Sequence, residues 1–280
     1  MTNTSSSSAS RTWFITGATS GIGHELLQQA IAAGENVVAV ARDVSSFAGE
    51  AGPHLLAVAA DVRDEAAIKA AVDAGVRKFG RLDVIANNAG YGLFGAVEES
   101  TDEQARAIFD TNVFGTLNVI RATLPVLRTQ GSGHILEGSS FFGQISQPGV
   151  GLLSATKYAV EGIADALADE VGPLGIKVTI VQPGMTATPF LSNLKAAENT
   201  YSDYDQTVRV VAEAIGALPA DSFASAERVA AGIRTAIESA QPPRRLALNG
   251  AGAQAMKAGL EARLRDIDEW SSIAHTVDAA

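Results

Sequence analysis

The chain alternates short apolar runs, rich in β-branched residues, with longer Ala-rich stretches of helical period over most of its length. The runs predict strands at Thr12–Thr16, Asn36–Ala41, Leu55–Ala59, Leu82–Ala86, Gly133–Glu137, Lys177–Val181 and Arg244–Leu248. The stretches predict helices at about Gly21–Ala33, Glu65–Phe79, Asp102–Thr129 and Leu153–Val171. Strands that are apolar on both faces and separated by helices indicate right-handed βαβ units. We therefore expect a doubly wound α/β fold, a parallel sheet of about seven strands with helices on both faces.

The 280 residues show no internal repeat and no break in composition, which favours one domain. We expect residues 11–250 to form it, residues 251–280 to add a helix packed on it, and the Ser/Thr-rich residues 1–10 to be disordered. The segment at about 189–243 reads as helical and leaves the carboxyl end of a strand. Ligands bind at that edge of such sheets, so this segment is a candidate substrate lid.

Charge and cysteine content exclude several classes of function. With 21 basic against 31 acidic residues the net charge is −10, which disfavours nucleic acid and membrane surfaces as partners. The absence of cysteine excludes disulfides, thiolate metal sites and a cysteine nucleophile. The four histidines share no ligand spacing, so we predict no metal site. Without an apolar signal segment or membrane span, we expect a cytoplasmic protein.

The first strand runs directly into a glycine-rich turn followed by a helix. Its glycines at 17, 21 and 23 allow a tight turn, close approach of a ligand, and close packing of helix on strand. The free N–H groups at the start of the helix can then face a pyrophosphate. Strand, turn and helix in this order predict a dinucleotide site.

The spacing Gly-x-x-x-Gly-x-Gly resembles the short-chain dehydrogenase/reductase family, and further motifs follow in the family's order. These are Asp61-Val62, Asn87-Asn88-Ala89-Gly90, Asn112, Ser139-Ser140, Lys157 and the run from Pro183 to Thr188. The resemblance spans about residues 12 to 250. It implies that the cofactor contacts Gly17, Thr19, Ser20, Gly21, Ile22, Gly23, Arg42, Asp61, Val62, Asn88, Ala89, Gly90, Lys157, Pro183, Gly184 and Thr188.

The choice between the two nicotinamide cofactors depends on the end of the second strand. A carboxylate there would accept hydrogen bonds from both ribose hydroxyls, whereas a guanidinium would pair with a 2′-phosphate. In family members that look like this chain, the phosphate-binding position is that of Arg42. The alternative is a surface arginine paired with Asp43. We predict NADP(H).

The catalytic set that the resemblance implies lacks one member. In the family a Tyr four residues before a Lys donates the proton, a Ser thirteen residues before that Tyr binds the substrate oxygen, and an Asn supports a proton relay. Lys157, Ser140 and Asn112 match, but both counts place Leu153 at the Tyr position. Leucine has no proton to give.

Four tyrosines could compensate in principle, although nothing in the sequence selects one. Tyr158 is adjacent to Lys157 and points to another face of that helix, as a packing residue would. Tyr91, Tyr201 and Tyr204 lie in segments that border the family's pocket. A separate set of apolar residues follows the motifs directly and suggests a hydrophobic substrate, unless these residues merely pack the core: Phe141, Phe142, Leu152, Met185 and Phe190.

The sequence thus predicts an NADP(H)-dependent oxidoreductase scaffold for a small apolar ketone or secondary alcohol, impaired by Leu153. Two alternatives stay open. One is a non-redox isomerase, epimerase or cyclase, and the other is a non-catalytic NADP(H)-binding protein. By family resemblance we also expect a homodimer or homotetramer, assembled through the helix of Lys157 and its neighbour.

Overall fold

A computed structural model describes residues 10–48 and 52–278 of the chain. The predicted disordered tail, apart from Ser10, lies outside these residues. The described strands are β1 (Thr12–Thr16), β2 (Asn36–Ala41), β3 (Leu55–Ala59), β4 (Val84–Asn87), β5 (Leu93–Phe94), β6 (Gly133–Gly138), β7 (Ile176–Pro183), β8 (Thr186–Ala187), β9 (Lys195–Ala196), β10 (Ala224–Ser225) and β11 (Arg245–Leu248). Seven of them form one sheet in the order β11-β7-β6-β4-β1-β2-β3. Every neighbouring pair in that sheet is parallel.

The described helices are α1 (Gly21–Ala32), α2 (Glu65–Phe79), α3 (Asp102–Phe109), α4 (Gly115–Gln130), α5 (Gly151–Val171), α6 (Pro189–Ser192), α7 (Val210–Gly216), α8 (Ala226–Glu238), α9 (Gly250–Glu269) and α10 (Ser271–Thr276). Helices α2, α4 and α5 pack their apolar faces on one side of the sheet, around Ile85 and Ile135. Helices α1 and α8 cover the other side, around Trp13 and Leu136. The predicted doubly wound α/β fold is confirmed.

The strand order fixes where a ligand can bind. Strand β1 pairs with β2 on one side and with β4 on the other, so the connections run in opposite directions from this point. A crevice opens outside the carboxyl ends of the strands at such a reversal. The loops that carry the predicted motifs after β1, β4, β6 and β7 all end at this edge.

The predicted helix Asp102–Thr129 is interrupted in the structure. A π-helical turn at Asp110–Phe114 separates α3 from α4. Buried Asn112 lies in this turn, where its side chain bonds the backbone of the loop after β4 rather than facing solvent. Such single turns insert one extra residue into a helix and are frequent at functional sites.

The segment predicted to be helical between residues 189 and 243 contains more than helices. It includes β9, which pairs with β5, and β10, which pairs with β8. Its last helix, α8, packs against α1 as part of the layer on the sheet. The first part of this segment, between Pro189 and Lys195, lies at the carboxyl edge of the sheet. The division into domain, lid and terminal helix stays a prediction.

Helix α9 docks through its first turns. Gly252 lies against Gly184, Met256 is buried, and Gly259 lies against Ile145. The last turns of α9 leave Leu264 and Ile267 exposed. Among residues 10–48 and 52–278, no helix is both long enough and apolar enough to span a bilayer.

Candidate active site

A cavity of about 820 Å³ lies at the carboxyl edge of the sheet. It collects most of the residues that the sequence singled out, namely Gly17, Thr19, Ser20, Gly21, Ile22, Arg42, Asp61, Val62, Asn88, Ala89, Gly90, Ser140, Leu153, Lys157, Pro183, Gly184 and Thr188. Two predicted residues, Gly23 and Asn112, do not line it. Both lie behind the wall, where Gly23 packs against Gly17 and Asn112 bonds the backbone of Tyr91.

The glycine-rich turn is built by close backbone packing. Gly17 and Gly21 have φ values of +66° and +55°, which a side chain would strain. A Cβ on Gly23 would lie 2.5 Å from the Gly17 carbonyl oxygen and 2.6 Å from Nδ2 of Asn88. Ser20, the N-cap of α1, makes no side-chain capping bond. The cradle and the uncapped N–H groups fit a pyrophosphate.

The ends of β1 and β4 are joined by side chains of the motifs. Thr16 Oγ1 accepts hydrogen bonds from the backbone N–H groups of Asn88 and Ala89, each at 3.0 Å. Asn88 Nδ2 donates to the carbonyl oxygen of Thr16 at 3.2 Å. These bonds hold the Asn-Asn-Ala-Gly turn beside the glycine-rich turn, so that both face the cavity.

Arg42 lies at the end of β2 with its side chain exposed at the cavity. Within the described residues it makes no ion pair with Asp43, whose carboxylate instead accepts the backbone N–H of Ser45 at 2.8 Å. Asp61 also lines the cavity, and its carboxylate forms an ion pair with Arg63, with 2.7 Å between Oδ2 and Nη2. The Arg63 hydrogen bond lowers the pKa of Asp61.

Three of the four predicted catalytic residues lie in the loop after β6 and on α5, and the fourth, Asn112, lies in the π-helical turn between α3 and α4. Ser140 Oγ accepts the backbone N–H of Phe142 at 3.2 Å and lies 3.5 Å from the carbonyl oxygen of Pro183. Lys157 Nζ donates to the Gly138 carbonyl oxygen at 2.7 Å. Burial lowers the pKa of Lys157 to about 8, with the charge of Glu137 acting in the opposite direction.

Leu153 occupies the wall one helical turn before Lys157. Its side chain is 3% exposed and packs with Leu93, Ile108, Phe142 and Val150. An apolar side chain of this size is well accommodated here. Position 153 nevertheless faces the cavity, and its leucine side chain carries no hydroxyl group.

Asn112 is 1% exposed, and its side-chain amide forms hydrogen bonds with other groups of the protein. Nδ2 donates to the Tyr91 carbonyl oxygen at 2.9 Å and to Thr156 Oγ1 at 3.1 Å, and Oδ1 accepts the Tyr91 N–H at 3.1 Å. Asn112 therefore fixes the loop after β4 to α5, the helix of Lys157.

Tyr91 is the tyrosine that lines the cavity, whereas Tyr158, Tyr201 and Tyr204 lie outside its lining. Lys195 Nζ lies 4.8 Å from the centre of its ring, and burial raises the pKa of its phenol. Tyr158 bonds Arg263 of α9, and Tyr204 bonds Glu98. Tyr201 is exposed and lines none of the cavity.

The apolar part of the cavity contains most of the predicted set. Phe141, Phe142, Met185 and Phe190 line it. Leu152 does not, because it lies on the next face of α5 and joins the cluster around Leu153. Sequence reasoning missed Arg63 and Lys195, two cations at the rim. Arg63 follows the Asp61-Val62 motif directly, and this position beside a cofactor motif could have predicted that it lines the cavity.

Comparisons with known proteins agree with this geometry. A family model described as short chain dehydrogenase matches residues 11–199. The chain is 34% identical over 241 residues to "Oxidoreductase BOA17" of Botryotinia fuckeliana. The matched region covers 84% of this chain and 87% of that protein. A short-chain dehydrogenase from Streptomyces avermitilis superposes with a TM-score of 0.89 at 34% identity, over 96% of this chain and 100% of that one.

A solved neighbour carries a nicotinamide cofactor. The 3-ketoacyl-(acyl-carrier-protein) reductase from Brucella melitensis, complexed with NADH, has a TM-score of 0.72 and 29% identity, over 86% of this chain and 96% of that one. That protein therefore holds the class of ligand that the glycine-rich cradle fits.

Proposed function

This chain belongs to the short-chain dehydrogenase family, and we propose that it carries an NADP(H)-dependent site for hydride transfer between nicotinamide and an apolar ketone or secondary alcohol. We propose further that turnover is impaired because Leu153 replaces the proton donor. The observation that carries the proposal is the cavity that unites the glycine-rich turn, Ser140 and Lys157 around Leu153.

The cofactor's phosphates and sugars have clear partners in this wall. The turn from Gly17 to Gly23 and the uncapped start of α1 would hold the pyrophosphate. Arg42, which has no ion-pair partner in the described part of the chain, would hold a 2′-phosphate. Lys157 would hold the nicotinamide ribose. When bound, the nicotinamide supplies or accepts the hydride.

The chain's own groups would orient the substrate and supply part of the acid chemistry. Ser140 would donate a hydrogen bond to the substrate oxygen. The Lys157 ammonium would stabilise negative charge on that oxygen, and Phe141 and Met185 would exclude water from it. Position 153, where a phenol would protonate the alkoxide, offers a methyl group.

The reduction in rate caused by the missing proton donor at position 153 can be calculated. General acid catalysis contributes about a hundred- to ten-thousand-fold to rate. At about 1.4 kcal/mol per decade this is roughly 3 to 5.5 kcal/mol of barrier. Cofactor binding depends on other residues and would be retained.

Two other functions would use the same cavity. A non-redox isomerase, epimerase or cyclase needs no phenol and would convert substrate without consuming NADPH. A non-catalytic sensor would bind NADP(H) and convert nothing. The retention of both Ser140 and Lys157 at the cavity favours the oxidoreductase, because a sensor has no use for Ser140.

The experiment combines a binding titration with a turnover assay. NADPH binding is followed by its fluorescence, and NADPH consumption and product are measured against a panel of hydrophobic ketones and aldehydes. The proposal expects tight NADPH binding and slow consumption that equals the alcohol formed. Product without NADPH consumption would favour the isomerase class, and absent NADPH binding would contradict the proposal.

We also propose a cytoplasmic homo-oligomer that assembles through α4 and α5. Small exposed residues form a stripe on α5, which would allow close approach of a second helix: Ala155, Gly162 and Ala166. Light scattering on the purified chain tests this. A single mass of 28.9 kDa at all concentrations would contradict it.

A further inference from the structure

Glu137 is a fully buried carboxylic acid that the proposed mechanism leaves without a role. It is the penultimate residue of β6, with an exposed fraction of 0%. In the sheet it lies opposite Asn87 of β4 and Ile180 of β7. Side chains alternate along a strand, so Glu137 shares the face of Ile135, which packs in the layer of α2, α4 and α5. The carboxyl group therefore lies in the layer that carries Lys157.

A comparison with the second buried carboxylate of this region shows how unusual Glu137 is. Glu161 of α5 accepts four hydrogen bonds, among them those from Ser139 Oγ at 2.7 Å and Arg245 Nε at 2.9 Å. No hydrogen bond of ordinary distance and angle reaches either carboxyl oxygen of Glu137 in the part of the chain that the structure describes, and the polar side chain that acts on it as a weak donor is that of Asn87. A charged carboxylate in such a place loses its hydration without the hydrogen bonds that would replace it, so burial favours the neutral acid. Glu161 is thus built as a structural anion, and Glu137 is not.

The ammonium of Lys157 is held beside the end of β6, where Glu137 lies. The Lys157 ammonium bonds the carbonyl oxygen of Gly138, the residue directly after Glu137. Within residues 10–48 and 52–278, Lys157 is the charged group that acts on Glu137, while Asn87 and Ile180 beside it do not ionise. Burial raises the pKa of Glu137 to about 8, against the opposing effects of Asn87 and Lys157. Burial also lowers the pKa of Lys157 to about 8, so the two groups titrate in the same range.

We propose that Glu137 is a positioning residue that acts through Lys157, a buried acid whose ionisation keeps the ammonium charged. Near neutral pH the acid is neutral and the lysine charged. When the pair loses one proton, the remaining proton is shared between the two groups. Lys157 therefore keeps part of its charge at a pH where an isolated buried lysine would be neutral. The use of that charge in the reaction rests on the proposed function, whereas the coupling itself does not.

The test is a direct titration of Lys157 that needs no turnover. The full chain is labelled with ¹³C-lysine, the Lys157 signal is assigned with Lys157→Met, and its shift is followed from pH 6 to about 11, across the ordinary range of lysine. In the unmodified chain Lys157 should titrate near pH 8. In Glu137→Gln, which keeps the shape of the neutral acid, it should titrate about one pH unit lower. Lys177, which does not line the cavity, serves as the internal reference for the chemical shifts.

Glu161→Gln is the matched control, because it removes a buried carboxylate from the turn that follows Lys157. Its Lys157 titration should equal that of the unmodified chain. A second measurement, the ¹³C-carboxyl titration of Glu137, uses the unmodified sequence. The carboxyl should ionise near pH 8, and at higher pH still in Lys157→Met. An unshifted Lys157 in folded Glu137→Gln, or a Glu137 carboxyl that ionises near its ordinary 4.5, would overturn the proposal.

Discussion

Arg42→Leu tests whether the cofactor site selects a 2′-phosphate. The guanidinium is exposed at the cavity and, within the described residues, is not paired with a carboxylate. A hydrogen bond to a charged group contributes about 1.5 to 3 kcal/mol, which corresponds to roughly 10- to 150-fold in affinity. Because Arg42 is open to solvent, we expect the lower half of that range, and less at high salt. NADH lacks the phosphate and should bind the variant as well as it binds the unmodified chain.

The assay is a fluorescence titration of both cofactors with each protein at two salt concentrations. Arg42→Asp extends the series, because a carboxylate at the strand end should repel the 2′-phosphate and favour NADH. Arg77→Leu, an exposed arginine of α2 outside the cavity, is the matched control and should change neither affinity. Equal losses for NADPH and NADH, or no loss for NADPH, would refute the reasoning.

Three further perturbations test the cradle, the segment that Glu99 anchors and a buried histidine. Gly23→Ala places a methyl group on the Gly17 carbonyl oxygen and should destabilise the fold by about 1 to 3 kcal/mol while weakening NADPH binding, as urea unfolding and titration will show. The control Gly216→Ala meets no described atom within 4 Å and should do neither. The Glu99 carboxylate accepts the Tyr201 N–H and pairs with the Arg209 guanidinium, whose hydrogen bond lowers the pKa of Glu99 to about 2. Glu99→Gln removes this charge, so the amide hydrogens of residues 199–209 should exchange faster. Unchanged exchange would contradict the role of Glu99 as an anchor. His134 has its pKa lowered to about 4 by burial, below the unfolded value of 6.5, so the folded state should lose roughly 3 kcal/mol as pH falls from about 6.5 to 4. The same urea series on His134→Asn should show a flatter pH dependence, and identical slopes would contradict the assignment.

The fold and most of the cavity follow from local patterns in the sequence. The β-branched runs predicted the strands of the main sheet, although several bounds differ by one or two residues, as for Val84–Asn87 and Ile176–Pro183. The motifs after β1, β4, β6 and β7 meet because parallel strands end at one edge of their sheet. Chain order alone therefore placed Ser140 and Lys157 in one cavity.

The features that sequence reasoning missed depend on contacts between distant segments. The π-helical turn follows from the bonds of Asn112 to the loop after β4, which a periodic pattern does not reveal. Leu152 and Leu153 are chemically identical neighbours, and only the packing of α5 decides which one faces the cavity. The burial of Glu137 likewise depends on how β4, β7 and α5 pack around it, which its place in the sequence does not reveal.

The central claim is that a single missing phenol limits this oxidoreductase. The most direct measurement compares kcat/KM for NADPH-dependent ketone reduction in the unmodified chain, Leu153→Tyr and Leu153→Phe. Leu153→Tyr should gain about a hundred- to ten-thousand-fold, and Leu153→Phe, which adds the ring without the hydroxyl, should gain little. NADPH affinity should be similar in all three proteins. Equal rates for Leu153→Tyr and Leu153→Phe, or an unmodified chain as fast as Leu153→Tyr, would contradict the account.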